Sequence, residues 1–581
     1  MISCRWRAPR SGARLPGARR RRSGIRDPFP CPVPMHGMPA RACLLSSARP
    51  SSRRSRPPCP ASPSPASDLP TSMRRLARSL CCLGMAAVFA SPPAVAGEDA
   101  PPPAGGADDR ADDTGAAVVE SSPLEEALAP LLEDPLFQTA EIGIQLVDVA
   151  TGEEVWSHHP DAELVPASVT KVLTTAVALR QLGPAWVFTT DLLAGGEVDA
   201  DGVLNGDLYV RGGGDPTLVV EELWKMAVDL QSAGVTEVDG DVVFDDTGQE
   251  APGLLPGWGK AVDVANGPAY FAPLGALTVN YNVACLLVSP GGEVGQPAQV
   301  DLETPADVVR IVNEAVTVSP RSRRWLEIER QIDDDGGVTF TVSGRVPLDR
   351  DPRRIYRAVG DPTVHFMSVF EGLLAERGIT VTGQFRRGVA PDDAELLVRH
   401  ASDPLTIVLT RMNKRSSNIM AEQVLRAVGA AATGGPGSTE AGLEVVRTYL
   451  DELGIPRQEY RLVNGSGLSR DARLRPSHIT AVLLDLWNDP RIGPEFLASL
   501  AVGGVDGTLR RRLDEESAGL LRGKTGSLNS VYCLAGFIHA ADNRVYAFSF
   551  LVNGFRGSSR KVRALQDRFA RILIEGPGAL D

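Results

Sequence analysis

Apolar and polar positions alternate along this chain in more than one rhythm. "EIGIQLVDVATGEEVWSHH" (141–159) repeats with period two on either side of Thr151-Gly152, which predicts a β-hairpin. "PASVTKVLTTAVALRQLG" (166–183) shifts to helical spacing, with Pro166 near its start and Gly183-Pro184 as its stop. From about Phe188 to Gly344 the texture is short strands and Gly/Asp turns, as in "GVLNGDLYVRGGG", "VTEVDGDVVFDDTG" and "ALTVNYNVACLLVSPGG". Helical spacing returns in "DPTVHFMSVFEGLLAERG", "DPLTIVLTRMNKRSSNIMAEQVLRAVG" and "TEAGLEVVRTYLDELG", the last with Thr439 as N-cap and Gly454 as stop. "GSLNSVYCLAGFIHAADNRVYAFSFLVNG" predicts a hairpin of two apolar strands. "SSRKVRALQDRFARILIEG" predicts a closing amphipathic helix with the stripe Val562, Leu565, Phe569 and Ile572. That stripe reads as packing on a sheet, with a peripheral membrane contact as the alternative. No internal repeat is visible.

Composition changes the picture at the N-terminus. The first 96 of 581 residues hold 17 Arg, no Lys and two acids, so the remaining 485 carry a formal charge of about −27 against −12 for the whole chain. Such a body is unsuited to nucleic acid. From Met73, "MRRLARSL", the apolar "CCLGMAAVFA" and a small-residue site at Ala94 and Ala96 spell a secretory signal peptide over 73–96, cleaved after Ala96. A signal that starts 72 residues in predicts a true start at Met73 and a non-native basic extension over 1–72; a genuine disordered arm is the alternative. Residues 97–123 are a Pro/Gly/Asp-rich linker. Of eight Cys, Cys285 and Cys533 alone follow the cleavage site, so no disulfide framework is expected, and whether they pair stays open. The histidines show no HExxH or other ligand spacing, so neither metal nor cofactor is expected.

Candidate chemistry begins at "VPASVTK". Ser168 and Lys171 stand three residues apart and share a helix face. A serine hydroxyl needs a base, and lysine serves only when burial or a second cation depresses its pKa. S-x-x-K alone reads as a helix cap and a solvated lysine rather than as a catalytic pair. "RSSN" adds Ser416, Ser417 and Asn418 at a helix start, and "GKTGSL" adds Lys524, Thr525, Gly526 and Ser527 at the head of a strand. S-x-x-K, S-x-N and K-T-G in this order are the triplet of β-lactamases and penicillin-binding proteins. No G-x-S-x-G elbow supports a Ser-His-Asp hydrolase, and "GGGDPTL" lacks the Gly-Lys-Ser/Thr of a phosphate loop, so it reads as a turn.

With "GGGDPTL", "MNKRSSN", "NGSGLSR", "VDGTLRRRL" and "GKTGSL", the chain resembles the low-molecular-mass class C penicillin-binding proteins, the D-alanyl-D-alanine carboxypeptidase/endopeptidases of peptidase family S13. Lys171 and Ser416 are 245 residues apart, too far for an ordinary β-lactamase. The resemblance implies an α/β (α+β) fold, a β-lactamase/transpeptidase-like catalytic domain whose antiparallel sheet is flanked by helices. It also implies a division into catalytic segments 124–185 and 391–581 around a strand-rich insert, 186–390. It implies an acyl-enzyme at Ser168, with Lys171 as base, Ser416 as proton relay and Asn418 holding the substrate amide. Lys524 and Thr525 would take the terminal carboxylate. The N–H groups of Ser168 and Ser527, beside Gly526, would form the oxyanion hole. The implied partners are peptidoglycan stem peptides ending in D-Ala-D-Ala and, as inhibitors, β-lactams, in the periplasm or another extracytoplasmic space. Serine β-lactamase and a silent wall-binding protein are the competing readings. Ser417 departs from the family's usual Asp, at a position not expected to touch substrate.

Overall fold

The computed structural model describes residues 123–576 other than 256–257 and 259–265. The basic extension, the signal peptide and the linker up to 122 lie outside the described residues.

The predicted hairpin forms: β1 (Glu141–Asp148) pairs antiparallel with β2 (Glu154–His158). These strands join β3 (Ala501–Val502), β4 (Leu521–Leu528), β5 (Val531–His539) and β6 (Val545–Asn553) from the far end of the chain, in the order β3-β4-β5-β6-β1-β2, every pairing antiparallel. One of these strands shows why the C-terminal segment is apolar without alternation. Along β6, Tyr546, Phe548, Phe550 and Val552 enter one core and Ala547 and Leu551 the other, so both faces are covered. The expected hairpin of β5 and β6 is part of a three-strand meander. The K-T-G residues are not at the head of the apolar strand but lie inside their own strand, β4, which turns into β5 through Ser530 at φ +60°.

Six helices matter to the site and its support: α1 (Lys171–Gln181), α2 (Leu405–Arg415), α3 (Asn418–Thr433), α4 (Thr439–Glu452), α5 (Pro476–Asn488) and α6 (Ser559–Glu575). α1, α3, α4 and α5 contribute to one core against the sheet, which includes Val172, Leu173, Val424, Leu425, Val446 and Leu483. α6 covers the opposite face, and Phe569 meets Phe550 edge-on at 5.4 Å. Val562, Leu565, Phe569 and Ile572 are all buried there, which leaves none of the four to a membrane. Among the described residues no helix is long and apolar enough to cross one. Ser438, not Thr439, caps α4: its Oγ accepts from Ala441 N at 3.1 Å. Gly454 follows that helix at φ +75°, as expected of a stop.

Between Thr189 and Ala401 the chain builds separate sheets. The largest runs Phe385–Arg387, Val242–Asp245, Leu208–Gly212, Thr189–Ala194, Glu395–Ala401. Its last strand falls beyond the expected boundary at 390, because Leu396–Ala401 pairs antiparallel with Thr189–Leu193. The strand-rich reading also passes over a helix, Val220–Ser232, which buries Leu223, Met226, Ala227 and Leu230 on one face. "GGGDPTL" leaves a strand and turns through Gly214 at φ +79°, with buried Asp215 accepting from Thr217. Cys285 and Cys533 are both free thiols; Cys533 is buried and Cys285 is only half-buried.

Candidate active site

Ser168 does not sit on the α-helix itself. Residues Ala167–Thr170 form a 3₁₀ turn that runs into α1, and Ala167 takes the left-handed conformation at φ +47°. The segment is pinned from both sides. Asn553, at the end of β6, brackets Val165: its Oδ1 accepts from Val165 N at 2.8 Å and its Nδ2 donates to Val165 O at 3.1 Å. On the other side β4 approaches so closely that a Cβ on Gly526 would stand 2.7 Å from Pro166 O and 3.1 Å from Ser168 N. Only glycine lets that strand lie against the Ser168 amide.

The turn puts Lys171 Nζ 3.0 Å from Ser168 Oγ. The lysine is fully buried, which removes the solvated-surface alternative. Nζ also donates to Asn418 Oδ1 at 2.9 Å and to the Ser466 carbonyl at 2.7 Å. A neutral amine has two N–H bonds and one lone pair. The two acceptors take the N–H bonds, and the lone pair is left for the Ser168 hydroxyl. Burial pushes Lys171 down to about 7, against an upward pull from the Glu422 carboxylate. Of the two expected causes, burial and the neighbouring Lys524, burial is the larger.

Ser416 ends α2 in the left-handed conformation at φ +56°, and Ser417 starts α3. This abrupt change of direction carries Asn418 to Lys171 and turns Ser416 Oγ to within 2.8 Å of Lys524 Nζ. Ser417 Oγ accepts from Met420 N at 3.5 Å as the N-cap of α3. Aspartate and serine cap helices about equally well, so the departure at 417 keeps the cap. Lys524 is buried, also donates to Thr525 O at 2.7 Å, and is held well below the ordinary lysine range by burial and by Lys171. Thr525 Oγ1 is 2.8 Å from Thr508 Oγ1, and Ser527 is exposed on the same strand. The structure therefore gathers Ser168, Lys171, Ser416, Asn418, Lys524, Thr525, Gly526 and Ser527 around one turn and one strand.

Three contributors escape the sequence. Ser466 acts through its carbonyl, which leaves no side-chain signature, although "NGSGLSR" marks the stretch. Thr508 lies in "VDGTLRRRL", equally marked and given no role. Glu422 lies one turn beyond Asn418 on α3, fully buried, accepting from Gly465 N at 3.0 Å and Ser466 N at 2.8 Å. An acid in a helix is ordinarily solvated, so its spacing carries no signal.

Comparison with known proteins identifies the family and the fold. A family model described as the D-Ala-D-Ala carboxypeptidase 3 (S13) family matches residues 124–574. The D-alanyl-D-alanine carboxypeptidase of Actinomadura sp. (strain R39) is 35% identical over 483 residues, covering 81% of this chain and 87% of that protein. The D-alanyl-D-alanine carboxypeptidase DacB of Haemophilus influenzae is 26% identical over 431 residues, covering 73% and 88%. The crystal structure of penicillin-binding protein 4 (dacB) from Haemophilus influenzae superposes with a TM-score of 0.67 at 24% identity, over 76% of this chain and 97% of that one, which shows the shared fold.

Proposed function

This chain belongs to the D-Ala-D-Ala carboxypeptidase 3 (S13) family, and from that premise we propose that it hydrolyses the terminal D-alanyl-D-alanine bond of peptidoglycan stem peptides through an acyl-enzyme at Ser168. The observation that carries this reading is the pair of acceptors on Lys171, Asn418 Oδ1 and Ser466 O, which leave the amine lone pair for Ser168 Oγ.

Neutral Lys171 takes the Ser168 proton as Oγ adds to the carbonyl carbon between the two D-alanines. The oxyanion is held by the N–H groups of Ser168 and Ser527, preorganised because Gly526 lets β4 lie against the turn. As the C–N bond breaks, the proton passes through Ser416 to the departing D-alanine nitrogen. Asn418 orients Lys171 and the substrate amide. Lys524 and Thr525 receive the terminal carboxylate, whose negative charge favours the protonated form of the buried Lys524. Water then adds to the Ser168 ester as Lys171 takes its proton, and Lys171 returns that proton to Ser168 Oγ as the ester C–O bond breaks, freeing the shortened peptide. β-Lactams acylate the same serine.

The sheets built between Thr189 and Ala401 form the insert in the catalytic fold. Export rests on the signal at 73–96, into the periplasm or an equivalent space. N-terminal sequencing of exported protein is expected to begin near Gly97; recovery of residues 1–72 in it would refute that processing.

The activity is tested by incubating the protein with a stem pentapeptide and with a cross-linked dimer. Free D-alanine is expected from the pentapeptide, and cleavage of the dimer measures any endopeptidase share. A protein that releases no D-alanine yet turns over penicillin rapidly would instead be a β-lactamase.

A further inference from the structure

Glu422 has no role in the reaction as written, yet its surroundings are built around it. Its two oxygens accept separate backbone N–H groups, Gly465 and Ser466. The same two residues turn their carbonyls to α1: Gly465 O accepts from Thr174 Oγ1 at 2.7 Å and Ser466 O from Lys171 Nζ at 2.7 Å. The peptide turn is a two-sided clamp, with a carboxylate from α3 on one side and two donors from α1 on the other. Donors on both oxygens favour the ionised carboxyl and oppose part of the cost of burying it.

We propose that Glu422 is a positioning residue for acylation: through the Gly465–Ser466 turn it holds the Lys171 amine against Ser168, and its negative charge governs how readily that amine gives up its proton. The inference deepens the reading above and rests on Lys171 being the base. The other charged groups facing the pair are Lys524 from β4 and Arg426, further along α3 and itself tied to Glu250 at 2.7 Å. Glu422 is thus the carboxylate whose charge acts on Lys171. Burial lifts it above the ordinary carboxyl range, while Ser466, the Gly465 amide and Lys171 pull it back. Its own effect on Lys171 is upward. Without it Lys171 would lose its proton at lower pH and be a weaker base.

The test is the rate of acylation by a chromogenic cephalosporin, followed from about pH 5 to pH 9. In Glu422→Gln the rising limb is expected to move to lower pH by about one unit, and the plateau to fall about tenfold. Thr174→Val loosens the same turn without touching a charge, so its plateau should fall while its limb stays in place. Glu422→Asp keeps the charge on a shorter arm: its limb should stay near wild type and its plateau fall. That variant carries the test if Glu422→Gln does not fold. A folded Glu422→Gln with an unmoved limb overturns the inference, as does Glu422→Asp at the full wild-type plateau. Failure of the underlying reading looks different: Lys171→Arg would then keep the wild-type rate whatever Glu422 does.

Discussion

Ser168→Ala is expected to fold as the wild type does and to lose release of D-alanine by about 10⁴-fold or more. The hydroxyl is half-buried and its own hydrogen bond is to Lys171, so its loss removes chemistry and little packing. The residues around it act as a unit, and losing the nucleophile forfeits what Lys171, Asn418 and Ser416 contribute. The measurement is D-alanine released from a pentapeptide, with circular dichroism as the check on the fold. A folded variant that retains a tenth of the wild-type rate would assign the nucleophile elsewhere.

Lys171→Arg is expected to slow acylation by about 10²–10⁴-fold. The ordinary lysine pKa of about 10.4 would leave the amine almost wholly protonated at neutral pH. Burial brings Lys171 down to about 7, which makes the free base accessible near neutral pH. A group whose charged form is disfavoured in this way acts above its lowered pKa, so the acylation rate should rise with pH through about 7. Arginine keeps the positive charge but does not deprotonate in this range. Lys171→Met, neutral and similar in length, removes the base without adding a guanidinium to a closed space. The rate constant for acylation by penicillin distinguishes the outcomes. Near-wild-type acylation in a folded Lys171→Arg protein would rule the lysine out as base and return "VPASVTK" to a structural role.

The elements that were readable in advance owe it to strict periodicity. The β1–β2 hairpin alternates, and α6 carries its stripe at helical spacing, so the type of each element is written into its sequence. β4 was misplaced because "GKTGSL" is short, glycine-rich and separated from β5 by a two-residue turn, so nothing local marks it as a strand in its own right. The helix Val220–Ser232 was legible from Leu223, Met226, Ala227 and Leu230 but sits inside strand texture that masked it. The boundary near 390 could not be read, since the strand Glu395–Ala401 is assigned by its pairing with Thr189–Ala194, some two hundred residues away. The side chains of the site were legible because three motifs fixed their order and types. Ser466 and Glu422 were not: one contributes a main-chain carbonyl, and the other is charged only against the expectation for a buried helix face.

The most direct measurement is mass spectrometry of the digested protein after reaction with penicillin. One adduct is expected, on the peptide that contains Ser168 and on that serine, and none on Ser168→Ala. An adduct on another residue, or a label that survives in Ser168→Ala, would contradict the acyl-enzyme on which the account stands.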